Sequence, residues 1–421
     1  MNALIKSAKI IDSNSPFNGK VVDVLIEKGI IIKMEKTINN ENNYQELNFD
    51  NLHLSAGWID MRTNFCDPGH EYKEDLTSGL KAAALGGFTE VVIMPDTSPV
   101  VDSKSGVEYI INKAKGNIVS VYPTGCLSAK HEGKEIAEMY DMHNAGAVAF
   151  TDNKQAIANP SLLNRALLYN QSFNGLIMAF ADDKTLYGKG QMNEGEVSTQ
   201  LGLKGIPALA EELMVSRNIH LAEYCNAPLH ITNVSTKKSV ELIAAAKKKG
   251  LQITADTNSY HLLLDDGNLT DFESNYKVMP PLRTKTDIKA LVKGIKDGVI
   301  DAICSDHTPE DIENKQCEFD HAAFGMINLQ TSFAAANTAL SNKLSVEEII
   351  ASFTIKPRAI LNIASPILKE GEKANITLFS PTEKWNLTKE NNASKAKNTP
   401  LFDIELTGKV YGVVNNNKVV V

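Results

Sequence analysis

The sequence has few of the residues that build disulfide frameworks, zinc knuckles or membrane spans. Its five cysteines, spread over 421 residues, form no Cys-x-x-Cys pair, which argues against a disulfide scaffold or a zinc knuckle. The nine histidines never stand two, three or four residues apart, so no local histidine metal motif is present. No run approaches the ~18 apolar residues of a membrane span, and the amino terminus lacks the apolar core of a signal peptide. We therefore expect a cytoplasmic protein.

Basic residues are also too few for a protein that binds nucleic acid through its charge. The chain has 43 Lys and Arg against 51 Asp and Glu, a net charge of −8. Non-specific nucleic-acid binding needs a basic face. Apolar residues are plentiful, with 43% hydrophobic beside 22% charged residues, which is typical of a globular protein with a large core. Composition therefore predicts a globular protein that binds neither nucleic acid nor membranes.

The two ends of the chain carry short stretches of alternating polarity that predict β-strands. Residues 22–26 and 30–32 show this pattern near the amino terminus, and residues 374–379 and 408–414 show it near the carboxyl terminus. Two β-rich ends that flank a long middle predict one small β-sandwich domain, formed by residues 1–52 together with residues 366–421.

The middle of the chain, residues 53–365, alternates between strand-like and helix-like segments. Residues 236–249 show helical spacing, with Ser235 or Thr236 as a cap and Gly250 as a stop. Eight βα units predict a (β/α)8 barrel, whereas a doubly wound sheet would need a Gly-rich phosphate turn that the sequence lacks. The predicted strands are 58–66, 89–95, 118–126, 147–152, 176–182, 228–234, 252–257 and 300–306.

In such a barrel the chemistry lies where the strands end. Asp152 ends the fourth predicted strand and Asp306 ends the eighth, so these two carboxylates could face one another across the mouth. An aspartate at a strand end more often caps a helix than performs catalysis. The pair by itself is therefore a weak signal.

Motifs spread over the whole chain resemble those of one enzyme family. They include GWIDM at 57–61, EYKEDL at 71–76, GGFT at 86–89, AVAFTD at 147–152, PPLR at 280–283 and SDH at 305–307. In these motifs the chain resembles the dihydroorotases, cyclic amidohydrolases of pyrimidine biosynthesis, and in particular the bacterial long form found with aspartate carbamoyltransferase. The resemblance implies a metal-bearing (β/α)8 TIM barrel of the amidohydrolase type with a β-sandwich made from both termini.

The residues that carry the family's chemistry differ in this chain. The family pattern Asp-x-His-x-His-x-Arg after strand 1 reads DMRTNFC at 60–66, so both histidine ligands and the substrate-binding arginine are replaced. Of the implied metal-site residues only two aspartates remain, one of them at the general-base position, Asp306. The ligand positions are Arg62, Asn64, Asp152, Phe180, Asn233 and Asp306, and the altered substrate positions are Cys66, Asp96, Met279 and Glu310.

This pattern of replacements predicts that the chain binds no metal and is not a catalyst. Zinc needs about four N, S or O ligands, Phe180 supplies none, and Arg62 is a permanent cation that repels Zn²⁺. Without the metal no water is acidified towards a pKa of ~7. The carboxylated lysine of other superfamily members offers no substitute, because its slot on strand 4 corresponds to Asp152. We therefore expect no cofactor, and zinc only if the chain is active after all.

Three hypotheses about function follow. In the first, the chain keeps its fold because it assembles with aspartate carbamoyltransferase, with an active dihydroorotase paralogue, or with itself as an oligomer. In the second, it is an active dihydroorotase, or a related hydantoinase-like or allantoinase-like amidohydrolase with altered ligands. In the third, the pocket takes a new anionic ligand at Arg62.

The replacements also predict a new contact at the barrel mouth. Two unpaired buried carboxylates are unfavourable, and a guanidinium can bridge a carboxylate with two hydrogen bonds. We expect Arg62 to form a salt bridge with Asp306 or Asp152, and Asn64 and Asn233 to add neutral hydrogen bonds.

Overall fold

The strands of the chain fall into a sheet at the termini and a barrel in the middle. The computed structural model describes residues 1–421. The strands are β1 (Ala3–Ile11), β2 (Val21–Glu27), β3 (Ile30–Glu35), β4 (Gln45–Leu47), β5 (His53–Ala56), β6 (Trp58–Thr63), β7 (Phe88–Ile93), β8 (Ser120–Pro123), β9 (Met178–Phe180), β10 (Met192–Asn193), β11 (Gly205–Ile206), β12 (Leu229–Thr232), β13 (Ile253–Asn258), β14 (Ala302–Cys304), β15 (Ile376–Asn386), β16 (Glu405–Asn415) and β17 (Lys418–Val420).

The helices lie mainly between the barrel strands. None of them is long and apolar enough to cross a membrane. They are α1 (Leu76–Leu85), α2 (Lys104–Ala114), α3 (Met139–Ala145), α4 (Pro160–Asn170), α5 (Glu196–Leu201), α6 (Ala208–Cys225), α7 (Lys237–Lys248), α8 (Lys285–Lys296), α9 (Ile312–Lys315), α10 (Ser332–Leu340), α11 (Val346–Ala351) and α12 (Ile355–Leu361).

Eight parallel segments close into the barrel. Strands β6, β7 and β8 pair in order, and so do β9, β12, β13 and β14. The segment around Phe150 joins the two sets through parallel bridges to Gly125 and Ile177. A parallel bridge between Thr63 and His307 closes the circle. The (β/α)8 barrel predicted from the sequence is therefore confirmed, with the fourth strand reduced to bridges at a single residue.

Local sequence accounts for the helices that surround the barrel. Helix α7 begins after Thr236, whose side chain accepts a hydrogen bond from the amide of Ser239. Val240 and Ile243 are buried on its inner face, and Gly250 follows the helix with φ +83°. The predicted helix over 236–249 is confirmed at both ends, because caps and periodicity are local properties.

The terminal sheet combines strands from both ends of the chain. Its order is β17-β16-β15-β5-β1-β2-β3, with β4 also paired to β1. Strand β5, His53–Ala56, lies between β1 and β15 and pairs with both. The predicted domain boundary between residues 52 and 53 is therefore too early. Residues 53–56 still belong to the terminal sheet, and the chain enters the barrel at Trp58.

An aromatic cluster joins the base of the barrel to the terminal sheet. Trp58 is fully buried at the start of β6, and its ring lies 4.7 Å from that of Phe333 and 5.3 Å from that of Phe379 on β15. Its indole nitrogen donates to Ser55 Oγ at 2.8 Å. The two parts of the chain thus share a packed interior at this end.

Replacing Trp58 with alanine should lower the free energy of unfolding by about 3–5 kcal/mol, because a buried indole leaves a large cavity. Trp385, half-buried on β15, is the matched control, and its alanine variant should lose clearly less stability. Calorimetric unfolding of both variants measures this. Equal losses of unfolding free energy would contradict this account, because they would show that the cluster around Trp58 stabilises the contact between barrel and terminal sheet no more than the half-buried Trp385 does.

Candidate functional site: a buried ion-pair cluster at the barrel mouth

Asp306, which follows β14, is the central residue of the barrel mouth and is almost completely buried. Arg62 Nε donates to its Oδ1 at 2.9 Å. Its Oδ2 accepts from Lys154 Nζ at 2.7 Å, Tyr260 Oη at 2.5 Å and Asn258 Nδ2 at 3.2 Å. Both oxygens are thus held by donors of the protein itself.

The charges around Asp306 keep it ionised. Burial alone opposes ionisation, but the nearby Lys154 and Arg62 hold the pKa of the Asp306 carboxyl below its usual value. A carboxylate that is both ion-paired and saturated with hydrogen bonds is a poor acceptor for a further proton. Asp306, the residue that the family resemblance implies as the general base, is therefore held as an anion by the protein's own side chains.

Arg62 is fully buried, and each of its three guanidinium nitrogens donates one hydrogen bond. Besides Asp306, it donates to Thr232 Oγ1 at 3.3 Å and to Asn153 Oδ1. The salt bridge predicted between Arg62 and Asp306 is present. None of the Arg62 side chain is exposed, so an anionic ligand at Arg62, the third hypothesis, would require Arg62 to leave Asp306.

Asp152 does not face Asp306 as expected. Its Oδ1 accepts from the amides of Leu127 and Ser128 at 2.8 and 2.9 Å, and its Oδ2 accepts from the Ser128 hydroxyl. It shares no hydrogen-bonding partner with Asp306. The loop after β8 thus provides neutral donors for both oxygens of this carboxylate, and these oppose the burial that raises its pKa.

Asn64 and Asn233 support the ion pair indirectly. Asn64 Oδ1 accepts from Asn153 Nδ2 at 3.1 Å, and Asn153 in turn accepts from Arg62. Asn233 Nδ2 donates to Asn258 Oδ1 at 2.7 Å, and Asn258 donates to Asp306. Each asparagine therefore acts through one intervening amide rather than touching Arg62 or Asp306.

Two of the altered positions pack against each other. Phe180, at the end of β9, and Met279, in the segment before α8, are both buried in one apolar cluster. Tyr187, Ile206 and Ala210 complete it. A position implied as a metal ligand and a position implied to bind substrate are thus both used for packing.

The other three substrate positions lie around the rim. Asp96 is exposed and accepts from Asn153 Nδ2 at 2.6 Å. Glu310 forms a salt bridge of 2.7 Å with Lys73. Cys66 is half-buried, and burial raises the pKa of its thiol, so it is not a ready thiolate.

Sequence reasoning missed the residues that complete the cluster: Asn153, Lys154, Asn258 and Tyr260. The available signal was position, since Asn153 and Lys154 directly follow Asp152 at a predicted strand end. A lysine there is usually solvated, so its type gave no indication that it turns inward.

The donor set does not fit a zinc ion. Nowhere in the chain do three or more His, Cys, Asp or Glu side chains come together to hold a metal. The groups closest to Asp306 include a guanidinium and an ammonium, which repel a divalent cation. Both ring nitrogens of His230, on β12, already have hydrogen-bonding partners. Its Nε2 is 2.8 Å from Asp256 Oδ2 and its Nδ1 is 2.8 Å from Thr254 Oγ1.

Comparison with known proteins identifies the family. Residues 53–239 match the model of the family described as dihydro-orotase-like. A dihydroorotase of Syntrophus aciditrophicus is 39% identical over 100% of this chain and 99% of its own length. A dihydroorotase of Acetivibrio thermocellus is 40% identical over 99% and 98%. The chain belongs to the dihydroorotase family.

Solved structures of more distant proteins share the fold of this dihydroorotase-family chain. An L-hydantoinase (dihydropyrimidinase) from Arthrobacter aurescens superposes with a TM-score of 0.85 at 19% identity, covering 100% of this chain and 96% of the other. A dihydropyrimidinase from Brevibacillus agri gives 0.83 at 22%, covering 100% and 95%. At such identities the likeness concerns the fold alone.

Arg62→Ala should lower the free energy of unfolding by about 3–5 kcal/mol, because it strands a buried carboxylate. Arg165→Ala is the control, since Arg165 is exposed on α4, and its change should stay within ~0.5 kcal/mol. Denaturant unfolding of the two variants gives both values. A loss below ~1 kcal/mol for Arg62→Ala would mean that Asp306 does not depend on Arg62.

Proposed function

We propose that this dihydroorotase-family chain does not hydrolyse dihydroorotate and serves instead as a structural or regulatory partner in pyrimidine biosynthesis. The observation that carries the proposal is the cluster at Asp306, in which Arg62 and Lys154 are its closest charged neighbours. Cyclic-amide hydrolysis in this superfamily uses a zinc ion to activate water and to polarise the carbonyl. The donor set of this chain does not support such an ion.

The side chains at the barrel mouth also offer no free general base to accept a proton from the attacking water. A general base must offer a free lone pair near the attacking water. The carboxylate of Asp306 already accepts four hydrogen bonds from side chains. Phe180 and Met279 are committed to apolar packing. These features favour a protein that keeps the fold of the family but does not catalyse the hydrolysis.

The second candidate function is an active cyclic amidohydrolase, a dihydroorotase or a hydantoinase-like enzyme with altered metal ligands. Identity of 39–40% over essentially full length to proteins named dihydroorotase favours it. It requires Arg62 and Lys154 to leave Asp306 so that a metal can approach. The two candidates therefore differ in metal content and in turnover.

Purified protein should contain well below one zinc per chain and should not open the dihydroorotate ring. Elemental analysis and a spectrophotometric ring-opening assay measure the two properties, with the Syntrophus aciditrophicus dihydroorotase prepared in parallel as the control. Turnover at an ordinary enzymatic rate, on the order of 1 s⁻¹ or faster, would establish the active alternative instead.

The partner role is tested by assembly. We propose aspartate carbamoyltransferase or an active dihydroorotase paralogue as the partner, with self-association as a homo-oligomer. The tagged chain, co-expressed with each candidate from the same cell, should co-purify with one of them and co-elute as a complex of defined mass. Elution of every mixture as separate species would contradict the partner role.

A further inference from the structure

Lys154 and Asp306 follow opposite strands of the barrel. The order around the barrel is β6, β7, β8, the Phe150 segment, β9, β12, β13 and β14. Lys154 follows the fourth segment and Asp306 follows the eighth, and in an eight-stranded barrel these two are diametrically opposed. The contact of 2.7 Å between Lys154 Nζ and Asp306 Oδ2 therefore crosses the mouth.

The same ammonium group makes a third connection. Lys154 Nζ donates to the backbone oxygen of Met279 at 2.6 Å, in the segment between β13 and α8. One side chain thus ties together the segments that follow the fourth, seventh and eighth strands. Its own side chain is 19% exposed, whereas Arg62 and Asp306 beneath it are 0% exposed. Lys154 lies between the solvent and the centre of the barrel.

Lys154 places a second cation beside Asp306, on the carboxylate oxygen that Arg62 does not contact. Asp96, at the exposed edge of the mouth, lies one amide away from Arg62. Asn153 connects Arg62 to Asp96, because it accepts a hydrogen bond from Arg62 and donates one to Asp96. Without Lys154, the Oδ2 atom of the buried Asp306 would face no cation, which is unfavourable for a buried carboxylate.

We propose that Lys154 is a strut that closes the barrel mouth and that, together with Arg62, it supplies the positive charge that a divalent metal would otherwise supply to Asp306. The inference deepens the proposed function and rests on it, because it takes the centre to be free of metal. It assigns to Lys154 a positioning role across the barrel. It also predicts that the stability of the folded state does not depend on divalent ions.

Three variants at the strut test this inference. Lys154→Met keeps most of the volume and removes the charge, and it should lower Tm by about 3 °C or more, because it strands part of the Asp306 charge. In the Asp306→Asn background, where Lys154 has no carboxylate to pair with, the same Lys154→Met change should lower Tm by less than half as much as it does in the wild type. Lys154→Arg keeps the charge and should remain closer to the wild type than Lys154→Met.

A surface ion pair provides the matched control. Lys293 and Asp297 form an exposed pair on and just after α8, with side chains 75% and 45% exposed. Lys293→Met, alone or combined with Asp297→Asn, should shift Tm by no more than about 1 °C. An unchanged Tm for Lys154→Met, or losses that simply add in the double variant, would overturn the strut. Equal losses for Lys154→Arg and Lys154→Met would overturn the role of its charge.

Zinc itself separates this inference from the proposed function. Wild-type protein should show the same Tm after chelation and after addition of one equivalent of zinc chloride. A rise of several degrees with zinc would overturn both the charge replacement and the proposed lack of a metal. An absent zinc effect combined with an unchanged Tm for Lys154→Met would overturn only the role of Lys154.

Discussion

The ion pair between Arg62 and Asp306 is the interaction on which the centre of this barrel depends. A carboxylate that is wholly removed from water needs a compensating charge and donors for its lone pairs. Arg62 provides the first contact, and Lys154, Tyr260 and Asn258 complete the set. Asn153 and Asn233 bond to these residues and Asn64 bonds to Asn153, so the asparagines of the mouth are arranged around this buried anion.

The two aspartates that remain at implied metal positions are stabilised in different ways. Asp306 depends on fixed cations, whereas Asp152 depends on two backbone amides and a hydroxyl of the loop after β8. Neutral donors satisfy the oxygens of Asp152, while burial raises the pKa of its carboxyl. This difference explains why one aspartate pairs with Arg62 and the other turns away from it.

Sequence patterns predicted the features that depend on local or adjacent elements. The ends of α7 follow from a cap, a period and a glycine, and the Arg62–Asp306 contact follows from the adjacency of the first and eighth strands in a closed barrel. The inward turn of Lys154 depends on a carbonyl and a carboxylate from distant loops, which no local pattern encodes. The orientation of Asp152 depends in the same way on loop amides, and the placement of β5 depends on its two partner strands.

Family membership and chemistry are separate properties of this chain. The full-length similarity to dihydroorotases and the cluster around Trp58 concern the framework, which needs no metal to pack. Function lies in the groups at the strand ends, so the lack of catalysis that we propose depends on those groups and not on the framework.

The most direct test of a metal-free centre is the location of zinc in crystals of the protein grown with excess zinc. An anomalous difference map measured at the zinc absorption edge should show no peak within coordination distance of Asp306, with the guanidinium of Arg62 and the ammonium of Lys154 in contact with its carboxylate. A fully occupied peak bound to Asp306, with these two side chains displaced, would contradict the account.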